Sequence, residues 1–140
     1  MSAFSNYLED QITGWINGSA FASSTTLSGG TWVQLYTADP TDAGLHTGAY
    51  LARVNVPASG WTRGTGGAGT LTNTSTITIT TSAASAATVT HFGVFDVVTA
   101  GAGNLLFHGT LGTSGSPVTK SVAIGDEVKF NAGQLTLTVA

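Results

Sequence analysis

The sequence has no cysteine and very little charge, and each absence removes a class of chemistry. Without thiols there is neither a disulfide framework nor a thiolate metal centre. Asp, Glu, Lys and Arg make up only 8% of the residues, against about 25% in an average globular chain. The four bases, Arg53, Arg63, Lys120 and Lys129, are scattered singly. They form no basic stripe along which a phosphate backbone could run, so nucleic acid is not an expected partner. No apolar run approaches the roughly 18 residues that span a bilayer. The first fifteen residues carry no basic segment leading into an apolar one, so neither a secretory signal nor membrane association is expected.

What replaces charge is threonine, serine and glycine. A surface dressed in hydroxyls is wettable but repels its own copies weakly. With 140 residues, 41% of them hydrophobic, the chain has the length of one domain with a real core rather than a disordered polar tract.

Residues 3–16 have a helical period. Phe4, Tyr7, Leu8, Ile12 and Trp15 share one side, and Asn6, Glu9, Asp10 and Thr13 the other. Ser2 is placed to cap the start and Asn17-Gly18 to stop it. A helix this short must pack on its own domain or on a neighbouring subunit. From Gly30 the period is two. Strands are predicted at 31–37, 49–56, 70–80, 87–97, 104–111, 118–123, 126–131 and 134–139. In the first, Val33 and Leu35 face one way and Trp32 and Tyr36 the other. In 70–80, Thr occupies every even position while Leu71, Ile77 and Ile79 share the opposite face with Asn73 and Ser75. Residues 87–97 are apolar on both faces, as in a doubly covered central strand, and Gly60–Gly69 reads as a loop. The expected architecture is mainly β, a jelly-roll-like antiparallel β-sandwich with a short N-terminal α-helix. Residues 1–18 form the helical segment and residues 30–140 a single β domain.

Candidate chemistry is sparse. His46 lies in a loop beside Asp39 and Asp42, but no HxH or HExxH spacing supports a metal. His91 and His108 fall in predicted strands that could be neighbours, where histidines usually satisfy each other or a backbone carbonyl. Gly64–Gly69 lacks the flanking strand, helix and lysine of a phosphate loop, and no serine stands in a GxSxG elbow. Neither a catalytic residue, a cofactor nor a metal is expected. An enzymatic reading would require His91 or His108 within about 7 Å of an acid.

The aromatic residues say more. Trp61 stands between Gly60 and Thr62-Arg63 in polar sequence, where it can be an interface anchor, a sugar-stacking platform or a local plug. Phe4, Tyr7, Leu8, Trp15, Trp61 and Arg63 are the candidate interface residues.

Several segments together carry a family resemblance: Phe4-Ser-Asn-Tyr-Leu-Glu-Asp10, Leu35-Tyr-Thr-Ala-Asp-Pro40, Tyr50-Leu-Ala-Arg-Val54, Val89-Thr-His-Phe-Gly-Val-Phe-Asp96, Gly103-Asn-Leu-Leu-Phe107 and Phe130-Asn-Ala-Gly133. In this order the chain resembles a family of small structural proteins of tailed phages and prophages, described as capsid decoration (cement) or tail-fibre-like proteins. The resemblance spans nearly the whole chain and implies a virion component with a jelly-roll-like fold, made in the host cytoplasm. The leading expectation is a capsid cement protein, a dimer or trimer whose partners are itself and the major capsid protein. The alternative is a tail-fibre or tail component that contacts the host surface, with a host glycan as partner.

Overall fold

The computed structural model describes residues 2–20, 27–65, 69–81, 85–113 and 116–138. The period-two segments become antiparallel strands. The main sheet is built from β1 (Ser2–Phe4), β2 (Thr31–Tyr36), β3 (Ala49–Val56), β8 (His91–Phe95) and β9 (Leu105–Thr110), in the order β1-β9-β8-β2-β3. Strands β4 (Trp61–Arg63) and β5 (Thr70–Asn73) join β14 (Thr136–Thr138) in the order β14-β5-β4. Three two-stranded ladders pair β6 (Ile77–Thr80) with β13 (Glu127–Phe130), β7 (Ala87–Val89) with β12 (Lys120–Val122), and β10 (Gly112–Thr113) with β11 (Ser116–Pro117). The fold is therefore mainly β, with antiparallel sheets and one short N-terminal helix, α1 (Asn6–Ile16).

The start of the chain differs from the sequence expectation. The helix begins at Asn6 and not at residue 3, because Ser2–Phe4 is extended and pairs with Phe107–Gly109 at the edge of the main sheet. The cap is accordingly Ser5 rather than Ser2. The Ser5 side chain accepts from the Leu8 N–H at 3.3 Å and donates to the Leu105 carbonyl. Asn17 and Gly18 end the helix as expected, Gly18 with a positive φ of 85°.

The predicted strand at 70–80 is two strands, interrupted at Thr74–Thr76, and Asn73 is the reason. Asn73 is 2% exposed. Its Nδ2 donates to the carbonyls of Ser75, Asn131 and Phe130 at 2.8, 3.0 and 3.3 Å. Its Oδ1 accepts the Leu135 N–H at 2.8 Å, and its own N–H and C=O bond Leu135 and Gly133. One amide thus ties the end of β5 to the turn between β13 and β14. Residues 87–97 likewise divide into β7 and β8 at Thr90, whose N–H and C=O bond Tyr36 and Leu111. Within the predicted loop Gly60–Gly69, residues 61–63 form β4, paired with β5.

One core gathers Val33, Leu35, Phe92, Val94 and Phe107 of the main sheet with Ile77, Ile79, Val89, Val122, Val128 and Leu137 of the other ladders and with Leu135, which precedes β14. Edge-to-face contacts run through it from Trp61 to Phe107 (6.0 Å), Phe107 to Phe92 (6.4 Å) and Phe92 to Phe130 (5.9 Å). The opposite face of the main sheet is covered as well. Tyr36, Phe95 and Leu105 are buried there, with Trp32 packed against them. Gly93 lies beneath this second cluster, where a Cβ would meet Leu105, Phe95 and Tyr36 at 3.0–3.2 Å. The small residue leaves room for side chains rather than for another backbone.

Candidate functional site

The second cluster is organised by a buried cation. Arg53 is 6% exposed, and its guanidinium lies 3.6 Å from the Phe95 ring centroid. Its Nε donates to Gln34 Oε1 at 3.1 Å, and Nη1 donates to the carbonyls of Val97 and Ala102 at 2.8 and 2.9 Å. Gln34 in turn donates to the Leu51 carbonyl at 2.9 Å, where β3 bulges and Leu51 takes a φ of +68°. Arg53 therefore fastens the loop at 96–104 to the sheet. Burial lowers the Arg53 pKa and raises that of neighbouring Tyr36. His46 packs its ring 5.6 Å from Phe95. Burial, and secondarily the Arg53 charge, hold its pKa below the ordinary histidine value.

His46 thus packs on Phe95 and makes no ion pair, among the described residues, with the two acids that precede it in sequence. Asp39 and Asp42 meet the strand histidines instead. His108 Nε2 lies 2.9 Å from Asp42 Oδ1, and Nδ1 lies 3.4 Å from Asp39 Oδ1. His91 Nε2 is 3.9 Å from Asp39 Oδ2, and its Nδ1 is 2.8 Å from the Thr90 hydroxyl. The proximity that an enzymatic reading requires is therefore present. Its surroundings are those of a clamp. The Asp42 carbonyl accepts the Asn6 N–H and Asp39 Oδ1 the Thr41 N–H, so the pair joins the 37–48 loop to β9 and to the start of α1. The His108 side chain is only 10% exposed. Among the described residues no group of three His, Asp or Glu is arranged to hold a metal ion.

The candidate interface residues do not form one patch. Phe4, Tyr7 and Leu8 are half-buried against their own core. Trp61 is half-buried too, and its indole N–H donates to Thr31 Oγ1 at 2.9 Å, so its polar edge is engaged inside the molecule. Arg63 is exposed on β4. Trp15 lies on the same helical stripe as Tyr7 and Leu8 but is 62% exposed, and Ile16 is 73% exposed. The last turn of α1 therefore carries its apolar side chains uncovered.

A feature with no local sequence signal is an open groove of about 1130 Å³ between the C-terminal strands. Phe92, Leu111, Val128, Phe130 and Leu135 line its apolar part, and Lys120, Glu127 and Lys129 its charged part. Strands β12, β13 and β14, which pair with β7, β6 and β5, each contribute residues to it. Asn73 was the signal nearest to it: a polar residue on the apolar side of the alternating Thr70–Thr80 segment marks where the pairing changes partners.

No curated protein matches this chain. A family model described as podophage GP4 fiber I protein gp80 matches residues 3–138, and so takes in the main sheet, α1, the Arg53 cluster and the groove. The chain belongs to the podophage GP4 fiber I protein gp80 family and is a phage virion structural protein of fibre-like kind.

Proposed function

We propose that this protein is a structural subunit of the tail-fibre apparatus, acting through non-covalent contacts with its own copies and with neighbouring virion proteins rather than by catalysis. The observation that carries the reading is the match to a fibre family over nearly the whole chain. That description favours a fibre over the capsid-cement role expected from composition and resemblance. The surface chemistry supports adhesion. Charge is scarce, an apolar helix end is exposed, and an open groove lies between the C-terminal strands. The cluster of His91, His108, Asp39 and Asp42 joins three elements of the fold and pins a loop.

Contact with the host surface belongs to this reading. Trp61 is an unsuitable sugar platform because its ring and N–H are engaged inside the molecule. Immunogold labelling of intact particles with antibody to this chain tests the assignment. Gold on the tail is the expected result. Gold distributed over the head overturns the fibre role and returns the protein to capsid decoration.

A further inference from the structure

Two carboxylates and two imidazoles meet where the 37–48 loop reaches β8 and β9. A neutral imidazole has one N–H and one lone pair, whereas an ionised carboxylate only accepts. His108 has a carboxylate oxygen beside each ring nitrogen: Asp42 Oδ1 is 2.9 Å from Nε2 and Asp39 Oδ1 is 3.4 Å from Nδ1. With the proton on Nε2, the bond to Asp42 is made and the Nδ1 lone pair is set against Asp39. With it on Nδ1, the short contact to Asp42 opposes a lone pair to a carboxylate. Nδ1 is buried and has no hydrogen-bond partner among the described residues. The imidazolium alone, with an N–H on each nitrogen, serves both acids.

His91 differs. Its Nδ1 lies 2.8 Å from the Thr90 hydroxyl, which can donate or accept, and its Nε2 is 3.9 Å from Asp39 Oδ2. A neutral His91 is therefore satisfied. Other neighbours of His108 leave this balance to the two acids. Strands β1 and β8 place Ala3 and Gly93 opposite it. Helix α1 brings Tyr7, which borders a small hollow with Asp42, and Glu9 and Asp10, both exposed. His46, in the same loop, packs on Phe95, where burial favours its neutral form.

We infer that His108 is a proton-operated latch: on protonation it bonds Asp39 as well as Asp42 and fastens the 37–48 loop to β9. Histidine is the side chain whose charge changes between about pH 5 and 8, so the latch closes on mild acidification. The same proton secures the start of α1, because the Asp42 carbonyl accepts the Asn6 N–H while Asp39 Oδ1 accepts the Thr41 N–H. This device goes beyond the fibre role and does not depend on it.

Amide exchange read residue by residue by NMR, from about pH 7.5 down to about pH 5.5 and corrected for the intrinsic rate, tests the latch. The Asn6 and Thr41 amides are the reporters, and the β2 and β8 amides the reference. In the wild type, reporter protection is expected to rise about tenfold over the reference on acidification, the scale of one added bond to a charged group. Ring 1H–15N spectra of the same samples should show His108 Nδ1 gaining a proton over the same interval. His108→Gln keeps a donor for Asp42 but takes up no proton, so its reporters should be equally protected at both ends of the range. His91→Gln should keep the wild-type response. Thermal melts at the upper pH check that both variants fold. Flat protection in the wild type, a neutral His108 at the lower pH, a response that survives in His108→Gln, or one that vanishes in His91→Gln overturns the latch. If a variant does not fold, the wild-type reporters and ring spectra decide by themselves.

Discussion

A few polar side chains carry more of this fold than their number suggests. Asn73 satisfies four backbone groups where β5, β13 and β14 converge. Leaving a buried donor or acceptor unpaired costs about 1–3 kcal/mol, far more than an exposed hydrogen bond is worth. Asn73→Ala is therefore expected to destabilise the protein by about 3 kcal/mol, measured as a lower midpoint in urea unfolding, whereas the exposed neighbour Thr74→Ala should move it little. His46 gives a second prediction with a definite sign. Its folded pKa lies below the ordinary value, so on acidification the unfolded chain takes up this proton before the folded one does. Stability contributed by neutral His46 is present above an unfolded pKa of about 6.5 and is lost as pH falls toward the folded value. Melting the wild type and His46→Gln in parallel from neutral pH downward should show the wild type losing more stability. Parallel curves would show that His46 does not titrate on unfolding.

At the scale of elements, the strands legible in the sequence were those whose two faces differ within a short window. Residues 31–36, 49–56 and 127–130 form close to where alternation and turn residues placed them. Elements that depend on distant partners were not legible. Strand β1 is three residues that run into a helical period with Asn6–Ile16, and only its pairing with β9 makes it extended. The division at Thr74–Thr76 interrupts an alternation that is regular by itself, because its cause is an amide bonding residues about sixty positions away. The same limit hid the site. His91 and His108 were readable as neighbours on adjacent strands, but their acids come from a loop whose path the sequence does not specify, and the groove gathers residues as far apart as Phe92 and Thr138. The Arg53 cluster is covered by loops rather than strands, so the alternation of residues 49–56 carries no local sign that Arg53 is buried. Its role is testable at the same scale. Arg53→Lys keeps the charge but loses the planar fork that holds the Val97 and Ala102 carbonyls. Amide hydrogen exchange should then accelerate across residues 96–104 while β2 and β8 amides keep their protection.

For the molecule as a whole, the decisive fact is that the first and last described strands both complete ladders begun by strands far from them in sequence. Strand β1 closes the outer edge of β9, and β14 completes the β4–β5 ladder. The N-terminal segment is thus part of the sheet as well as the bearer of α1. A chain so poor in charge has little repulsion with which to keep an exposed strand edge from pairing with another molecule. The Ser5 side chain and the Asn6 N–H add the bonds to Leu105 and Asp42 that hold the segment down. Deleting residues 1–18 should therefore uncover the N–H and C=O groups of residues 107–109. The truncated protein is expected to melt at lower temperature than the full chain and to precipitate through edge pairing, in parallel thermal melts and size-exclusion runs. A truncated chain that is monomeric and as stable as the full one would mean that β1 contributes nothing to closing the sheet.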